Sequence, residues 1–314
     1  MAELYPTLGC RWLNGAMKFD GSSFRLPPNL IPLQQHPQFA SALAGIGRPI
    51  TAMKLPHGGH AQIMTRRIWP TRYNLNLVSR GPVWDIVPTP ALQWEAIMAL
   101  RSAGVHIINN ECVPSYVMAA ACYRRIMTPA TVAVLDLRGS YGDWLAAMTA
   151  KWRNALRKAE YAGLTVLVEA FSRADHKWIL DADQVQQKKR GYRALPSALT
   201  HSFSVLNHEG TIVVTAADGD QIIAAMIFLV HGPNATYHVG WTSIAGRAAN
   251  AHNLCLSTAM DVLADRGVEA IDLGYIDTEN TPGLARFKLG SGAKARTLGG
   301  TWIAMPWAKP QPLA

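Results

Sequence analysis

Apolar and polar positions along this chain fall into two alternating patterns, one of strand period and one of helical period. Strand patterns are predicted at Ala61–Ile68, Tyr73–Val78, "VHIINNE", "ATVAVLDLR" and "TVLVEAF". Between them, "PPNLIPLQQHPQF" is an extended lead-in to a short helix at Gln38–Ala44. "TPALQWEAIMALRSAG" is an amphipathic helix opened at Thr89 or Pro90 and stopped by Gly104. "YVMAAACYRRI" also reads as a helix. The longest helical stretch is Gly142–Ala162, where Trp144, Leu145, Met148, Trp152, Leu156 and Ala159 recur at helical spacing before Gly163.

The second half repeats the plan more cleanly. A helix is predicted over Arg173–Arg190. Three strands then follow in "GTIVVTAADGDQIIAAMIFLVHGPNATYHVGWTS", with "ADGDQ" and "HGPNA" as hairpin turns. Ala249–Arg266 is a helix closed by Gly267, and Val268–Leu273 is a strand. "GLARFKLGSGAK" carries too many glycines for an ordinary helix and reads as a glycine-rich turn. The pattern as a whole is mixed α/β (α+β) in two similar lobes, drawn at 1–145, with the extended lead-in, and 146–314.

Composition narrows the class. A chain of 314 residues that is 49% hydrophobic and 16% charged has ample material for packed cores and is not a disordered polymer. Its longest apolar run, Ile222–Val230, falls far short of the roughly 20 residues of a membrane span. The first residues show no signal-peptide pattern, and the cysteines (Cys10, Cys112, Cys122 and Cys255) lack CxxC spacing. Reduced thiols in a cytoplasmic protein are therefore expected. The net charge of +9 favours polyanionic partners. Basic runs lie at Thr65–Tyr73, Lys151–Tyr161 and Lys188–Arg193, and any one of them also reads as a solvated face. GxxxxGK[ST], HExxH, GxSxG and metal-spaced His/Cys clusters are all missing, so neither a metal nor a resident cofactor is expected.

The second lobe's order, antiparallel meander, polar loop, helix and strand, resembles the GNAT acyltransferase fold. "SRGPVW", "KWRNALRKAEYAG" and "DLGYIDTENTPGLARFKLGSGA" together resemble the FemABX group, two-lobed GNAT proteins related to BioF2-like acetyltransferases. The resemblance runs in order from Gln34 to Trp302. It implies transfer of an acyl group, often aminoacyl from a charged tRNA, to an amine acceptor. No long heptad segment matches the coiled-coil arm of several cell-wall members, which leaves the acceptor open.

The resemblance assigns one role, and the residues themselves suggest the others. Lys288 matches the family's Phe-Lys element and would hold the tetrahedral oxyanion, with Phe287 packed inward and Arg286 binding phosphate. Asp272, in an apolar strand, and Tyr237, ahead of its neighbour His238, are candidates for handling the amine's proton. Asp277 and Trp241 would flank the substrate. Arg80, before Gly-Pro at a strand end, would clamp a phosphate or form a structural salt bridge. In acyl-CoA users the meander-to-helix loop carries a glycine-rich pyrophosphate turn. Here "TSIAGRAANAHN" keeps Gly246 and Arg247, followed by Asn250, and lacks the other glycines. That favours aminoacyl-tRNA over acyl-CoA as donor. The competing readings are an acyl-CoA-dependent N-acyltransferase and a non-catalytic binding module on the same fold.

Overall fold

The structure is a computed structural model that describes residues 30–68, 70, 73–191 and 194–313, together with the backbone of 9–13, 16–20 and 190. Cys10 and parts of the first and third basic runs lie outside the described side chains. In chain order, β1 (Gly9–Leu13) and β2 (Ala16–Asp20) form a hairpin of their own. Next come α1 (Pro37–Gly45), β3 (Ile50–Lys54), β4 (Gly59–Arg67), β5 (Asn74–Gly81) and β6 (Val83–Trp84). They are followed by α2 (Pro90–Ser102), β7 (Ile107–Asn110), α3 (Ser115–Ala120), β8 (Tyr123–Met127) and β9 (Thr131–Asp136). The middle of the chain holds α4 (Tyr141–Ala147), α5 (Ala150–Glu160), β10 (Thr165–Ala170), α6 (Arg173–Arg190) and α7 (Ser197–Leu206). The remainder is β11 (Thr211–Asp218), β12 (Gln221–His231), β13 (Asn234–Thr242), α8 (Ile244–Ala248) and α9 (Ala251–Asp265), then β14 (Ala270–Ile276), α10 (Pro282–Gly290), β15 (Lys294–Thr297) and β16 (Gly300–Ala304).

Two compact units result. The larger takes in residues 1–30 and 132–296, and the smaller takes in 31–131 and 297–314. The sequence pattern placed a boundary at 145/146. The units divide instead at 30/31, 131/132 and 296/297, the last because β16 returns to lie between β7 and β8 in the smaller unit's sheet. A single cut in sequence cannot describe a unit that the C-terminal strand rejoins.

The larger unit's sheet runs β10-β11-β12-β13-β14-β9-β15. Its first four strands are an antiparallel meander, and β13 pairs with β14 in parallel. β10, at the edge, alternates in burial, whereas β12 is buried over most of its length and is accordingly apolar without alternation. α9 supplies Cys255, Leu256, Ala259, Met260 and Leu263 to one core with β11, β12 and α5. The smaller unit's sheet runs β3-β4-β5-β7-β16-β8, with β6 on β4, and its core centres on Ile97, Leu100, Ile108, Met118 and Trp302.

Three expected elements differ. The Gly142–Ala162 helix is two helices, since Met148 is extended (ψ 146°) and Thr149 caps α5 by accepting the amide of Trp152. The "YVMAAACYRRI" run divides into α3 and β8, with Cys122 in the left-handed region (φ 60°) at the turn. The "GLARFKLG" segment is helical. Pro282 starts it with a fixed φ, the strong formers 284–289 carry it, and Gly290 ends it against Trp152. A side chain at Gly290 would stand 2.9 Å from the indole Cδ1, so this glycine serves close packing.

Candidate active site

The larger unit holds a parallel strand pair that comes apart. Asn234, Ala235 and Thr236 of β13 pair with Ala270, Ile271 and Asp272 of β14. Beyond that rung β13 continues to Thr242 and β14 to Ile276, and no further rung joins them among the described residues. A bulge accompanies the split. On the β12 side Ile227 faces Val239 and Phe228 faces Tyr237, which leaves His238 as the extra residue. Backbone donors and acceptors on the facing edges are thereby free of ladder partners from the other strand, and such groups need partners.

Helix α10 contacts the β14 arm of the split directly and is linked to the β13 arm through His252. Lys288 is 5% exposed, and its Nζ donates to the Tyr275 carbonyl on β14 at 2.9 Å, beside Gly274. Burial lowers its pKa from 10.5 to about 8, and the Asp272 carboxylate opposes that shift. Asp272, at the last rung, is buried and accepts the Gly274 amide at 2.7 Å. On the other side Phe287 lies between Trp152 and His252, each ring 6.1 Å away. His252 in turn hydrogen-bonds the Trp241 carbonyl on β13 through Nε2 at 2.8 Å. Lys288, Phe287, Asp272 and Trp241 therefore belong to one neighbourhood.

Tyr237 is the first residue past the last rung on β13. Its ring packs on Phe228, and its hydroxyl occupies the space that a side chain at Gly240 would fill. His238 faces elsewhere. Its Nε2 is 2.6 Å from Thr200 Oγ1 on α7, and burial lowers its pKa to about 4, so the ring is neutral at physiological pH. Trp241 stands edge-on to Trp178 of α6 at 5.0 Å. The roles of Trp152, Trp178 and His252 escaped the sequence reading. Helical periodicity marked Trp152 as core, and nothing local marks His252 as a bridge to β13.

The remaining candidates are placed differently. Arg286 is exposed and makes no ion pair among the described residues. Asp277 organises its own loop by accepting the amides of Glu279 and Asn280 and the Asn280 side chain. The Asn280 amide is the largest influence holding its carboxyl below the usual range. Arg80 belongs to the smaller unit, at φ 55°, where its guanidinium grips buried Glu111 through two hydrogen bonds of 2.7 and 3.0 Å. Arg80 is thus in a structural ion pair within one unit.

The loop from β13 to α9 contains α8. Ser243 caps it, accepting the Gly246 amide on its hydroxyl and the Arg247 amide on its carbonyl. The amides of Ala249 and Asn250 bond back to Ala245 and Arg247. Gly246 lies flat on β12, where any side chain would overlap the Ile223 carbonyl oxygen. Asn250 takes the left-handed conformation (φ 56°) before α9. The amides of Gly246, Arg247, Ala249 and Asn250 are thus spent within the turn.

The fold is mixed α/β in two units, and residues 146–289 match the family described as Acetyltransferase (GNAT) domain. Among solved structures it is similar to FemX, with 14% identity and a TM-score of 0.68, covering 86% of this chain and 93% of that one. It also resembles L-PGS from Bacillus licheniformis (14% identity, TM-score 0.51, 85% and 87% covered). A conserved protein of unknown function from Bacteroides thetaiotaomicron shares the fold as well (11% identity, TM-score 0.54, 86% and 92% covered). No curated protein matches the sequence. No helix among the described residues is long and apolar enough to cross a membrane.

Proposed function

We propose that the chain is an acyltransferase that moves an acyl or aminoacyl group onto an amine, with the larger unit as its donor-binding and catalytic lobe. The observation that carries this reading is a buried ammonium, that of Lys288, set beside a parted strand pair. In the reaction the amine nitrogen attacks the donor's carbonyl carbon. The C–N bond forms as the carbonyl oxygen takes the charge, and collapse expels the alcohol or thiol. A fixed cation in a partly desolvated site stabilises that oxyanion by a few kcal/mol. At pH 7 a lysine of pKa about 8 is still roughly 90% protonated, so the charge is available. Asp272 helps to keep it there, and Tyr237, just past the last rung on β13, is proposed to relay the proton that the amine releases to the departing alcohol or thiol.

For the donor, the closed α8 turn supports an aminoacyl ester such as aminoacyl-tRNA over acyl-CoA, and the net charge of +9 agrees with a polyanionic donor. Arg286 and Arg247 are then the side chains for phosphate. An acyl-CoA-dependent reaction is the second reading, favoured by the acetyltransferase family match. A thermal-shift comparison of acetyl-CoA, free CoA, bulk tRNA and a UDP-sugar separates them. Ligand at a hundred times its Kd stabilises the native state by about 2.7 kcal/mol. A salt-sensitive tRNA shift with CoA silent supports the first reading. A CoA shift abolished by Arg247→Ala replaces it with the second. A UDP-sugar shift without transfer of any acyl group would point to a binding module.

A further inference from the structure

The larger unit contains a second recess, at the opposite end of β14 from Lys288. It has a volume of about 240 Å³ and is lined chiefly by Leu135, Trp144 and Met260, with Ala147, Asp143 and Lys294 at its edge. The Leu137 amide bonds the Glu269 carbonyl, just before β14 begins, whereas Lys288 bonds Tyr275 near its end. At about 3.3 Å per strand residue these two β14 positions lie roughly 15 Å or more apart, while Ser291, three residues after Lys288, lines the recess. The volume is below the range of sites that hold large cofactors or drug-sized ligands.

The polar groups around the recess divide into committed and uncommitted. Both oxygens of Asp136 are taken by Arg138, through Nε at 2.9 Å and Nη2 at 2.6 Å. Asp143 Oδ2 accepts both the amide and the hydroxyl of Ser140 in a capping box. That box leaves the Asp143 charge unneutralised and its Oδ1 available, and hydrogen bonds to Ser140 keep the carboxyl below its ordinary pKa. Lys294 is exposed and makes no ion pair among the described residues. One carboxylate and one ammonium thus remain at the rim of an apolar recess. The recess is formed where Gly292 (φ 94°) lets the chain turn beside Ala147.

We infer that this recess binds a small zwitterion with a compact apolar body, of the class of a free α-amino acid with a branched aliphatic side chain. The ligand's ammonium meets Asp143, its carboxylate meets Lys294, and its side chain enters between Leu135, Trp144 and Met260. Charge-assisted contacts of both signs favour the zwitterion over either single charge, whichever acyl donor the protein uses. The site is distinct from the proposed acyl-transfer centre but adjoins it. It touches that centre only through the end of α10, where Ser291 Oγ donates to the Lys288 carbonyl at 2.6 Å.

The experiment is a titration followed by NMR on protein carrying [13C-methyl]methionine, with the Met260 signal assigned from Met260→Leu. Leucine, 4-methylpentanoate and 3-methylbutylamine are added in turn. Leucine moves the Met260 methyl saturably, and each single-charge analogue binds about tenfold more weakly or worse. Lys294→Gln weakens leucine and the carboxylate while leaving the amine unchanged, and Asp143→Asn does the reverse. Ala147→Leu, at an exposed helix end, obstructs all three. Failure of leucine to saturate, equal binding of the three probes, or shifts that bypass Met260 would overturn the inference. None of these outcomes depends on an acyl-transfer assay.

Discussion

Each unit contains a parallel strand pair of the same kind, and the two are finished in opposite ways. In the smaller unit β5 and β7 stay together to their last residues, Gly81 and Asn110. The irregularity there, at Arg80, turns a guanidinium onto buried Glu111. Gln35 adds a bond to the Ser79 carbonyl and fills the space that a side chain at Gly81 would need. In the larger unit the pair ends at Thr236 and Asp272 while both strands run on, and the buried cation beside it, Lys288, has a carbonyl for its partner. The same topology thus gives a closed seam secured by an ion pair and an open one with a cation whose charge is only partly offset. A burial cost left unrelieved in this way is what a reaction centre can use and a purely structural seam has no reason to keep.

The largest expected effect breaks the closed seam. Removing one partner of a buried pair strands the other charge, so Glu111→Ala should lower unfolding free energy by about 3–5 kcal/mol. Replacing both, as Arg80→Met with Glu111→Leu, should recover most of that in a urea titration. Equal losses in the single and double variants would show that the pair does not act as a unit.

The open seam gives the opposite sign. The unfolded chain holds the Lys288 proton up to about pH 10.5, while the folded protein releases it near 8. Between those values the unfolded state binds more protons, so raising the pH favours the folded state. The handicap is fully present below about pH 8 and amounts to about 3 kcal/mol. Lys288→Met should therefore raise the melting temperature at pH 7, by an amount that shrinks towards pH 10.5. A variant that is less stable than wild type at every pH would contradict this handicap.

A smaller change sharpens the geometry. At Gly240 an alanine methyl would overlap the Tyr237 hydroxyl, and that ring must shift. Gly240→Ala should destabilise by about 1–3 kcal/mol, the usual range for overpacking. It should also reduce turnover by more than it raises KM if Tyr237 acts in proton transfer. Equal kinetics in this variant would remove Tyr237 from the mechanism.

Much of the larger unit was legible along the chain. The meander follows from apolar runs broken by "ADGDQ" and "HGPNA", and the Phe287–Lys288 pair stood out beside its glycines. The glycines misled in one respect, because Gly290 answers a tertiary demand from Trp152 and not a local turn. The break between α4 and α5 was written in Ser140 and Thr149, both good N-caps, but the apolar spacing of Trp144, Met148 and Trp152 runs through it. The split between β13 and β14 has no local signature, since pairing register belongs to two segments at once. Arg80 likewise could not be assigned without Glu111, which lies 31 residues away.

The most direct test of the larger unit as an acyl-transfer centre is the pH dependence of turnover once a donor has been found, in wild type and in Lys288→Ala. An oxyanion held by the charged lysine requires a rate that declines as pH rises through about 8. It also requires a loss of about 100-fold or more in the variant, with the fold retained. A variant that turns over at the wild-type rate with the same pH profile would place the chemistry elsewhere.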